Sequence, residues 1–311
     1  MLSRTADHLY WMSRYLERAE NLARMIDAHQ RLSLLPRPPE AVTQGWQATL
    51  VSLGAAEAFL ARSAGLTARM AFDFLAFDRH HQGSIAQCLR LARENARAVR
   101  GTITSDVWET LNSTYLETLS FTAAMPDSAR GEYLEWVKYR AHLIRGVMSA
   151  TLLRDEALHF TRIGTFIERA DNTTRLLESR WRDPGGSGER LRAEASEWAV
   201  LLRAMSAFEI FRRLYRDSVT PQRVTEMLLM RDDLPQSVHS CLDELQFNLA
   251  AVTNSRSDET CRRVGELHAR FHFGRFEDFC AEGLPQFLDR FQANLRDLGA
   301  RIADDFLVPA S

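Results

Sequence analysis

An eleven-residue motif occurs twice in this chain, and it constrains the fold more than any other feature. Residues 16–26 read LERAENLARMI and residues 167–177 read IERADNTTRLL, so that Glu, Arg, Ala, Asn and Arg recur at identical spacing. We call these segments the first and second Glu–Arg motifs. An amphipathic helix needs charges on its outer face, but it does not need the same charges in the same order twice. The repetition therefore requires its own explanation.

Further matches continue along the chain at almost the same offset. They comprise Trp46, Leu50, Ala55, Glu57 and Phe59 with Trp198, Leu202, Ala207, Glu209 and Phe211, and then Ser84, Cys88, Leu89 and Asn95 with Ser237, Cys241, Leu242 and Asn248. Repeats of roughly 20 to 50 residues are typical of solenoids, whereas one repeat spanning half a chain predicts two copies of a bundle. We expect a single domain, residues 1–311, built from homologous halves 1–153 and 154–311 that are related by a pseudo-twofold axis.

The spacing of apolar residues predicts helices throughout, because alternating β-branched runs are absent. The predicted helices cover about 3–32, 40–63, 67–77, 84–100, a segment starting at 105 or 106, 128–153, 155–181, 189–217, 221–230, 237–252, 258–272 and 286–306. The proline-rich segment 35–39 and the glycine-rich segment 183–188 are predicted to be loops between helices. The expected fold class is therefore an all-α helical bundle.

Composition excludes several classes of function. The net charge is −2 and the pI is about 6.5, so no global field attracts nucleic acid or anionic lipid. No stretch approaches the ~20 apolar residues of a membrane span. Residues 1–4 lead directly into an amphipathic pattern without the apolar core of a signal peptide. We therefore expect a cytoplasmic protein that uses neither nucleic acid nor a membrane as its partner.

The candidate site residues come from the two motifs, from residues flanking them, and from a third charged segment, 92–100. In that segment three arginines, Arg93, Arg97 and Arg100, share one helical stripe and should face something acidic. The full candidate set is Arg14, Glu17, Arg18, Glu20, Asn21, Arg24, Glu94, Asn95, Arg97, Glu168, Arg169, Asp171, Asn172 and Arg175.

Three interpretations of these residues remain open. The motifs can be solvated helix faces with intrahelical pairs, each contributing ~0.2–0.5 kcal/mol. Alternatively, they form a structural lattice in which Glu17 or Arg18 pairs with Arg169 or Glu168 across the two halves. In the third interpretation the charged groups line a shared cleft, where arginine forks hold the carboxylate or phosphate of a ligand.

Metal and cofactor chemistry find little support in the sequence. Helical di-iron sites usually carry Glu-x-x-His on two helices, but Glu17-x-x-Glu20 is followed by no histidine at the needed spacing. His268 and His272 have the i,i+4 spacing of metal ligands, but the sequence shows no third ligand near them. The chain also has no P-loop, dinucleotide fingerprint or nucleophile elbow. We expect neither a metal site nor a cofactor of its own.

Taken in order, three segments resemble the alpha-E family of bacterial helical proteins. These are residues 14–21 (RYLERAEN), residues 92–97 (ARENAR), and residues 160–164 leading into 167–171 (IERAD). The resemblance covers nearly the whole chain. One departure is Gln236 in the segment Pro235-Gln236-Ser237-Val238, where the family pattern has an arginine. The resemblance therefore implies no anion-binding role for residue 236 of this chain.

The resemblance implies an association with circularly permuted ATP-grasp carboxylate-amine ligases, to which alpha-E domains are sometimes fused. It also implies proximity to transglutaminase-like cysteine peptidases and a proteasome-like hydrolase. Together these describe a system that forms and removes peptide or amide bonds. ATP and Mg²⁺ would be bound by the ATP-grasp partner.

Three functional hypotheses follow. The chain can be a non-ATP-binding component that positions an amino-acid-like or peptide substrate, with Arg on its carboxylate and Glu on its ammonium group, or that completes a composite site. It can instead be a scaffold that links ligase and peptidase. It can also be an independent small enzyme with Glu17 or Glu168 as general base, although neighbouring arginines oppose the raised pKa that a base needs.

Overall fold

The computed structural model describes residues 1–33, 39–181 and 188–307, and within these ranges the protein is all-α, without strands. The predicted fold class is confirmed. The predicted loops at 35–39 and 183–188 fall outside the described residues except for Pro39 and Gly188, each of which begins a helix. Among the described helices, none is both long and apolar enough to cross a membrane.

The first half of the chain forms seven of the described helices. They are α1 (Ser3–Ser33), α2 (Pro39–Ser52), α3 (Ala56–Leu60), α4 (Ala68–Phe77), α5 (Ile85–Ala98), α6 (Ser105–Thr118) and α7 (Asp127–Thr151). The remaining described helices belong to the second half. They are α8 (Glu156–Trp181), α9 (Gly188–Ala204), α10 (Phe208–Tyr215), α11 (Pro221–Met230), α12 (Val238–Ala251), α13 (Asp258–His272), α14 (Phe276–Ala281) and α15 (Leu284–Phe306).

Side-chain caps explain where several of these helices begin. Ser84 Oγ accepts a hydrogen bond from the backbone N–H of Gln87 at 3.3 Å, and Ser237 Oγ accepts one from Ser240 at 3.0 Å. Such caps satisfy backbone donors that have no partner within the helix. Because Ser84 and Ser237 are related by the sequence offset, α5 and α12 start at matching positions in the two halves.

Two predicted helices are broken, and the same turn breaks both. The helices predicted over 40–63 and 189–217 are wrong, because each ends at a residue with positive φ, Gly54 at 64° and Ser206 at 53°. In each case the following alanine N–H bonds the carbonyl five residues earlier, Ala55 to Leu50 and Ala207 to Leu202, both at 2.8 Å. This is the Schellman arrangement, which closes a helix with a left-handed residue.

The helices that carry the Glu–Arg motifs, α1 and α8, lie side by side at the centre of the molecule. Their contacts advance together along both helices: Tyr10 meets Gly164, and Arg18 bonds Glu168. The two helices therefore run in the same direction. A Cβ at Gly164 would collide with the backbone carbonyl of Tyr10, so glycine sets how closely the helices approach.

The second half repeats the helix packing of the first. Helix α1 packs against α5 and α7, and α8 packs correspondingly against α12 and α15. The next layer also matches, with α5 on α6 and α12 on α13. Each motif-bearing helix thus packs against two helices of its own half and against the other motif's helix, and α1 also contacts α9 of the second half.

Candidate functional site: two clusters of exchanged Glu–Arg pairs

The two Glu–Arg motifs exchange ion pairs across the halves. Arg18 of α1 donates to Glu168 of α8 through Nε at 2.7 Å and Nη2 at 3.0 Å. Arg169 of α8 donates to Glu17 of α1 through the same two nitrogens at 2.8 and 3.0 Å. Each arginine thus holds its carboxylate with two parallel hydrogen bonds, the strongest geometry available to this pair of groups.

A second arginine reaches each of these glutamates, and both glutamates are only 2 % exposed. Arg14 Nε donates to Glu168 at 2.8 Å, and Arg145 Nη1 donates to Glu17 at 2.9 Å. The carboxylates are therefore buried with two cationic partners each. We call these groups the Glu17 cluster (Glu17, Glu20, Arg24, His142, Arg145 and Arg169) and the Glu168 cluster (Tyr10, Arg14, Arg18 and Glu168).

Glu20 extends the Glu17 cluster to two further helices. Arg24 donates to it from one turn away through Nε at 2.9 Å, and Arg145 of α7 forms a very short ion pair with its other oxygen. Arg24 also donates to Ser206 Oγ in the turn after α9, and its Nη2 lies 3.0 Å from His142 Nε2. The cluster thus joins α1, α7, α8 and the turn before α10.

The same electrostatics lower the pKa of Glu168 and of Glu20. Burial alone would raise the pKa of Glu168, but the charges of Arg18 and Arg14 outweigh it and lower the pKa to about 2. Burial also raises the pKa of Glu20. The positive charges of Arg145 and Arg24 lower it by a larger amount, so the net shift is downward. Partial burial, together with the positive charges of Arg145 and Arg24, lowers the pKa of His142 although the carboxylate of Glu20 opposes this shift.

The second motif does not reproduce this extension. Asp171 and Arg175, at the positions of Glu20 and Arg24, pair with one another within α8, with 2.7 Å between Nε and Oδ2. Asn21 and Asn172 also occupy matching positions, and the Nδ2 of each is buried without a hydrogen-bond partner. The two halves therefore agree at the exchanged pairs and at the asparagines, but they differ one turn further along.

The third charged segment lies apart from both clusters. Arg93 and Arg97 bond Glu94 of their own helix, at 2.5 and 3.0 Å, so the acidic partner of this arginine stripe comes from α5 itself. Asn95 Oδ1 lies 2.8 Å from His8 Nδ1 and ties α5 to α1. Asn248 makes the same 2.8 Å contact with His159 of α8. Each asparagine thus joins two helices of its own half, Asn95 joining α5 to α1 and Asn248 joining α12 to α8.

A cavity of about 250 Å³ lies at the junction of the halves, between α1, α2, α8 and α9. Its wall includes Met25, Thr49, Leu176, Trp181 and Trp198, and it contains neither glutamate of the exchanged pairs. The acids and guanidinium groups of the motifs therefore do not line this cleft. The exchanged pairs lie in the α1–α8 contact, whereas Arg24 and Arg175 each border another cavity.

The sequence did not predict Arg145 as part of a cluster, and it did not predict which residues lie beside the histidines of α13. Arg145 lies on α7, outside both motifs and 128 residues from Glu17, and only its chemistry as a possible partner for acids could have suggested it. The sequence showed no third ligand near the histidine pair on α13, but tertiary packing brings two further candidate ligands close to it. His239 and Asp243 of α12 join His268 and His272, with their ligand atoms all within 4.8 Å of one another.

Comparison with known proteins agrees with the sequence resemblance. The Alpha-E family model, described as "a predicted alpha-helical domain with a conserved ER motif", matches residues 1–307. Uncharacterized proteins of Mycobacterium bovis and of two strains of Mycobacterium tuberculosis are each 26 % identical over 329 aligned positions. The match covers 95 % of this chain but only 36 % of each relative's length. No solved structure matches the chain significantly.

Proposed function

Since this chain belongs to the Alpha-E family, we propose that it is the non-ATP-binding helical component of an ATP-grasp-dependent system that forms peptide or amide bonds. In this role it positions an amino-acid-like or peptide substrate, or completes a composite active site with the ligase. ATP and Mg²⁺ are bound by the ATP-grasp partner, and both proteins act in the cytoplasm. A transglutaminase-like cysteine peptidase and a proteasome-like hydrolase are candidate further partners.

The relatives support the role of a component. They align with nearly all of this chain, yet the aligned region makes up 36 % of their own length. The helical domain therefore occurs in those proteins beside a larger region that this chain does not match. A domain that acts with a partner can be joined to it in one polypeptide or bind it as a separate subunit, and both arrangements place the two together.

The substrate-positioning role is supported mainly by the Glu168 cluster, which contains more arginines than carboxylates. Two guanidinium groups, Arg14 and Arg18, face the single carboxylate of Glu168. Arg18 is 30 % exposed and Arg14 is 18 % exposed, whereas Glu168 is buried. Their outer N–H groups can receive a carboxylate or phosphate from outside while Glu168 fixes their orientation. An ATP-grasp reaction supplies such groups, because it activates a carboxylate as an acyl phosphate.

Glu168 itself does not suit a catalytic role. A general base works best with a pKa near the working pH, but the pKa of Glu168 is about 2. Both of its oxygens already accept hydrogen bonds from arginines, which leaves it poorly placed to hold a substrate ammonium group. These contacts weigh against an independent enzyme with Glu168 as base. The arginines, rather than the glutamates, are the groups that would meet the substrate.

The exchanged pairs also have a structural role in the proposal. We infer that the halves 1–153 and 154–311 arose by duplication and dock about a pseudo-twofold axis, which would place Glu17 on Arg169 and Arg18 on Glu168 together. In this view the pairs specify the docking geometry of the halves. The scaffold alternative, in which the chain only links ligase and peptidase, is favoured by the complete pairing of Glu17 and Glu168 inside the protein.

Co-purification from native cells tests the partnership. The tagged full chain should retain an ATP-grasp protein in near-stoichiometric amount, and the reconstituted pair should release ADP when supplied with candidate amino acids. Turnover by the purified chain without ligase or ATP would instead support an independent enzyme. Recovery of the chain alone under mild conditions would contradict the proposed complex.

An arginine variant separates substrate positioning from scaffolding. Arg18→Lys keeps the positive charge but removes the two parallel N–H donors of the guanidinium group. The KM for the carboxylate substrate should therefore rise about tenfold, which corresponds to the loss of one charge-assisted hydrogen bond. Arg97→Lys is the matched control, because Arg97 pairs only with Glu94 on the exposed side of α5 among the described contacts. Equal kinetic constants for Arg18→Lys and the wild type would favour the scaffold.

A further inference from the structure

A compact set of four potential metal ligands lies between two helices of the second half, and none of the four belongs to either Glu–Arg cluster. His239 and Asp243 are one turn apart on α12, and His268 and His272 are one turn apart on α13. The two helices pack against each other, and each residue presents a ligand atom within 4.8 Å of the other three. We propose that these residues form a binding site for a divalent transition metal ion, with Zn²⁺ as the best fit.

The buried member of the set, His239, is oriented as a metal ligand. Its Nδ1 lies 2.9 Å from the backbone carbonyl of Met230, which can only accept, so Nδ1 carries the proton. Its Nε2 therefore has a free lone pair. That atom is buried and has no hydrogen-bond partner, and the side chain is only 9 % exposed. A buried acceptor without a partner costs free energy that a metal ion would recover.

Metal-bound histidines typically donate their second ring N–H to a carbonyl or carboxylate, which fixes the tautomer and aims the other nitrogen at the ion. The Met230 carbonyl does this for His239. The nearest charged atom to the free Nε2 is Asp243 Oδ1 at 3.7 Å, beyond hydrogen-bond range. The space between the two groups is wide enough for an ion that contacts both.

The other ligands are held together in advance. His268 Nε2 lies 2.7 Å from Asp243 Oδ1, and the rings of His268 and His272 stack with 5.2 Å between their centroids. A metal ion would displace the proton shared by His268 and Asp243 and take both groups as ligands. His272 is exposed, so the ion can enter from the surface and exchange with solvent.

The ligand types select the class of ion. Three imidazoles and one carboxylate suit Zn²⁺ and neighbouring first-row ions, whereas Ca²⁺ and Mg²⁺ prefer all-oxygen ligands. Four protein ligands match the tetrahedral coordination of Zn²⁺. Soft Cu⁺ is disfavoured because none of the four ligands is a thiolate.

The first half shows that this set is not a by-product of the helix packing. Buried residues of α6 and α13 align at an offset of 153, for example Val107 with Thr260 and Leu111 with Val264. At the same offset the four ligand positions of the second half correspond to Ala86, Arg90, Tyr115 and Leu119. None of these side chains is a usual metal ligand. The same framework therefore carries the ligand set on one side only.

Metal binding by the full chain tests the proposal. The protein is treated with chelator, equilibrated with ZnCl₂, freed of unbound metal and analysed by elemental mass spectrometry. We expect about one Zn²⁺ per chain, and a Co²⁺-loaded sample should show the intense visible absorption of a tetrahedral site. Asp243→Asn and His268→Ala should each weaken binding by about 100-fold or more, measured by competition with a chromophoric chelator.

Matched controls keep the result interpretable. His80→Ala removes an exposed loop histidine and should leave the stoichiometry unchanged. His272→Ala alters only an exposed side chain, so the variant should fold normally and still lose affinity. Stoichiometry near zero for the wild type, or equal stoichiometry for wild type and the Asp243→Asn, His268→Ala double variant, would overturn the assignment. Neither outcome depends on the proposed role in an amide-ligase system.

Discussion

The two Glu–Arg motifs are alike in sequence, yet the structure uses them differently. Each motif contributes an arginine that forms a bidentate ion pair with a glutamate of the other half, Arg18 with Glu168 and Arg169 with Glu17. Among the described residues, the first motif alone continues into a further network of charged side chains, in which Glu20 binds Arg145 from α7. The corresponding Asp171 of the second motif pairs with Arg175 of its own helix. What the motifs share is the joining of α1 to α8, and what distinguishes them depends on the neighbouring helices.

The same difference appears away from the motifs. The second half has four clustered metal-ligand side chains between α12 and α13, while the matching positions of the first half include Arg90 and Tyr115. The repeated motifs thus join the two halves, and the proposed metal ligands lie where the halves diverge. For a protein of this kind, the positions that break the repeat are the better places to look for a site.

The largest difference between the halves should appear when each exchanged glutamate is neutralised. Glu17→Gln leaves Arg169, only 9 % exposed, without its carboxylate, and should lower the free energy of unfolding by about 3–5 kcal/mol. Glu168→Gln should cost less, because Arg18 is 30 % exposed and can be rehydrated. Urea denaturation of both variants measures the difference. Equal losses would show that the two clusters are energetically equivalent.

Two helical glycines, Gly164 and Gly299, provide a second contrast, because only Gly164 lies where a Cβ would meet the backbone of a neighbouring helix. Gly164→Ala places a Cβ against the Tyr10 carbonyl and should cost about 3 kcal/mol, because backbone cannot move aside as a side-chain end can. Gly299→Ala, a helical glycine whose added Cβ would lie 3.6 Å from Ile167 Cδ1, is the control and should be neutral or slightly stabilising. Thermal and urea unfolding distinguish them. A neutral Gly164→Ala would mean that α1 and α8 are not in close contact there.

Acid stability should depend on Glu168. Its pKa is about 2 in the folded protein and about 4.5 in the unfolded chain, so its contribution is present above pH 4.5 and is lost as the pH falls toward 2. Between pH 5 and pH 3 the wild type should lose about 2 kcal/mol that Glu168→Gln does not lose. Urea unfolding at several pH values gives both curves. Parallel curves would contradict the low pKa.

The smallest expected effect concerns the turn after α9. Ser206 has positive φ and accepts a hydrogen bond from Arg24. Ser206→Ala keeps the backbone strain and loses the hydrogen bond, whereas Ser206→Gly loses the bond but relieves the strain. Ser206→Ala should therefore be less stable than Ser206→Gly by about 1 kcal/mol. If the alanine variant were the more stable of the two, Ser206 would not hold a left-handed conformation in solution.

The sequence predicted the elements whose signals are local. Helical spacing predicted the fold class and many helix starts, such as those at residues 84 and 237, each one residue before the start of α5 and of α12. The breaks after α2 and α9 were missed, because Ser206 in a left-handed conformation has no distinctive sequence signal. Gly54 marked its break more clearly, but one glycine within a helical pattern is weak grounds for a break.

The candidate site was predictable only in part, because contacts distant in sequence decide it. The motifs themselves suggested pairing of Glu17 and Arg18 with Arg169 and Glu168. Arg145 could not be singled out, since it lies 128 residues from Glu17 and belongs to no repeated motif. The metal-ligand set needed two i,i+4 pairs on helices that only tertiary packing brings together.

The Glu–Arg motifs join the two halves through direct pairing of Glu17 with Arg169, and a double-mutant cycle measures that pairing most directly. The variants are Glu17→Gln, Arg169→Met and their combination, with Asp297→Asn and Arg301→Met as an exposed intrahelical control pair. We predict a coupling free energy of about 2 kcal/mol for Glu17 and Arg169, and no more than about 0.5 kcal/mol for the control. Coupling for Glu17 and Arg169 no larger than that of the control would contradict the account.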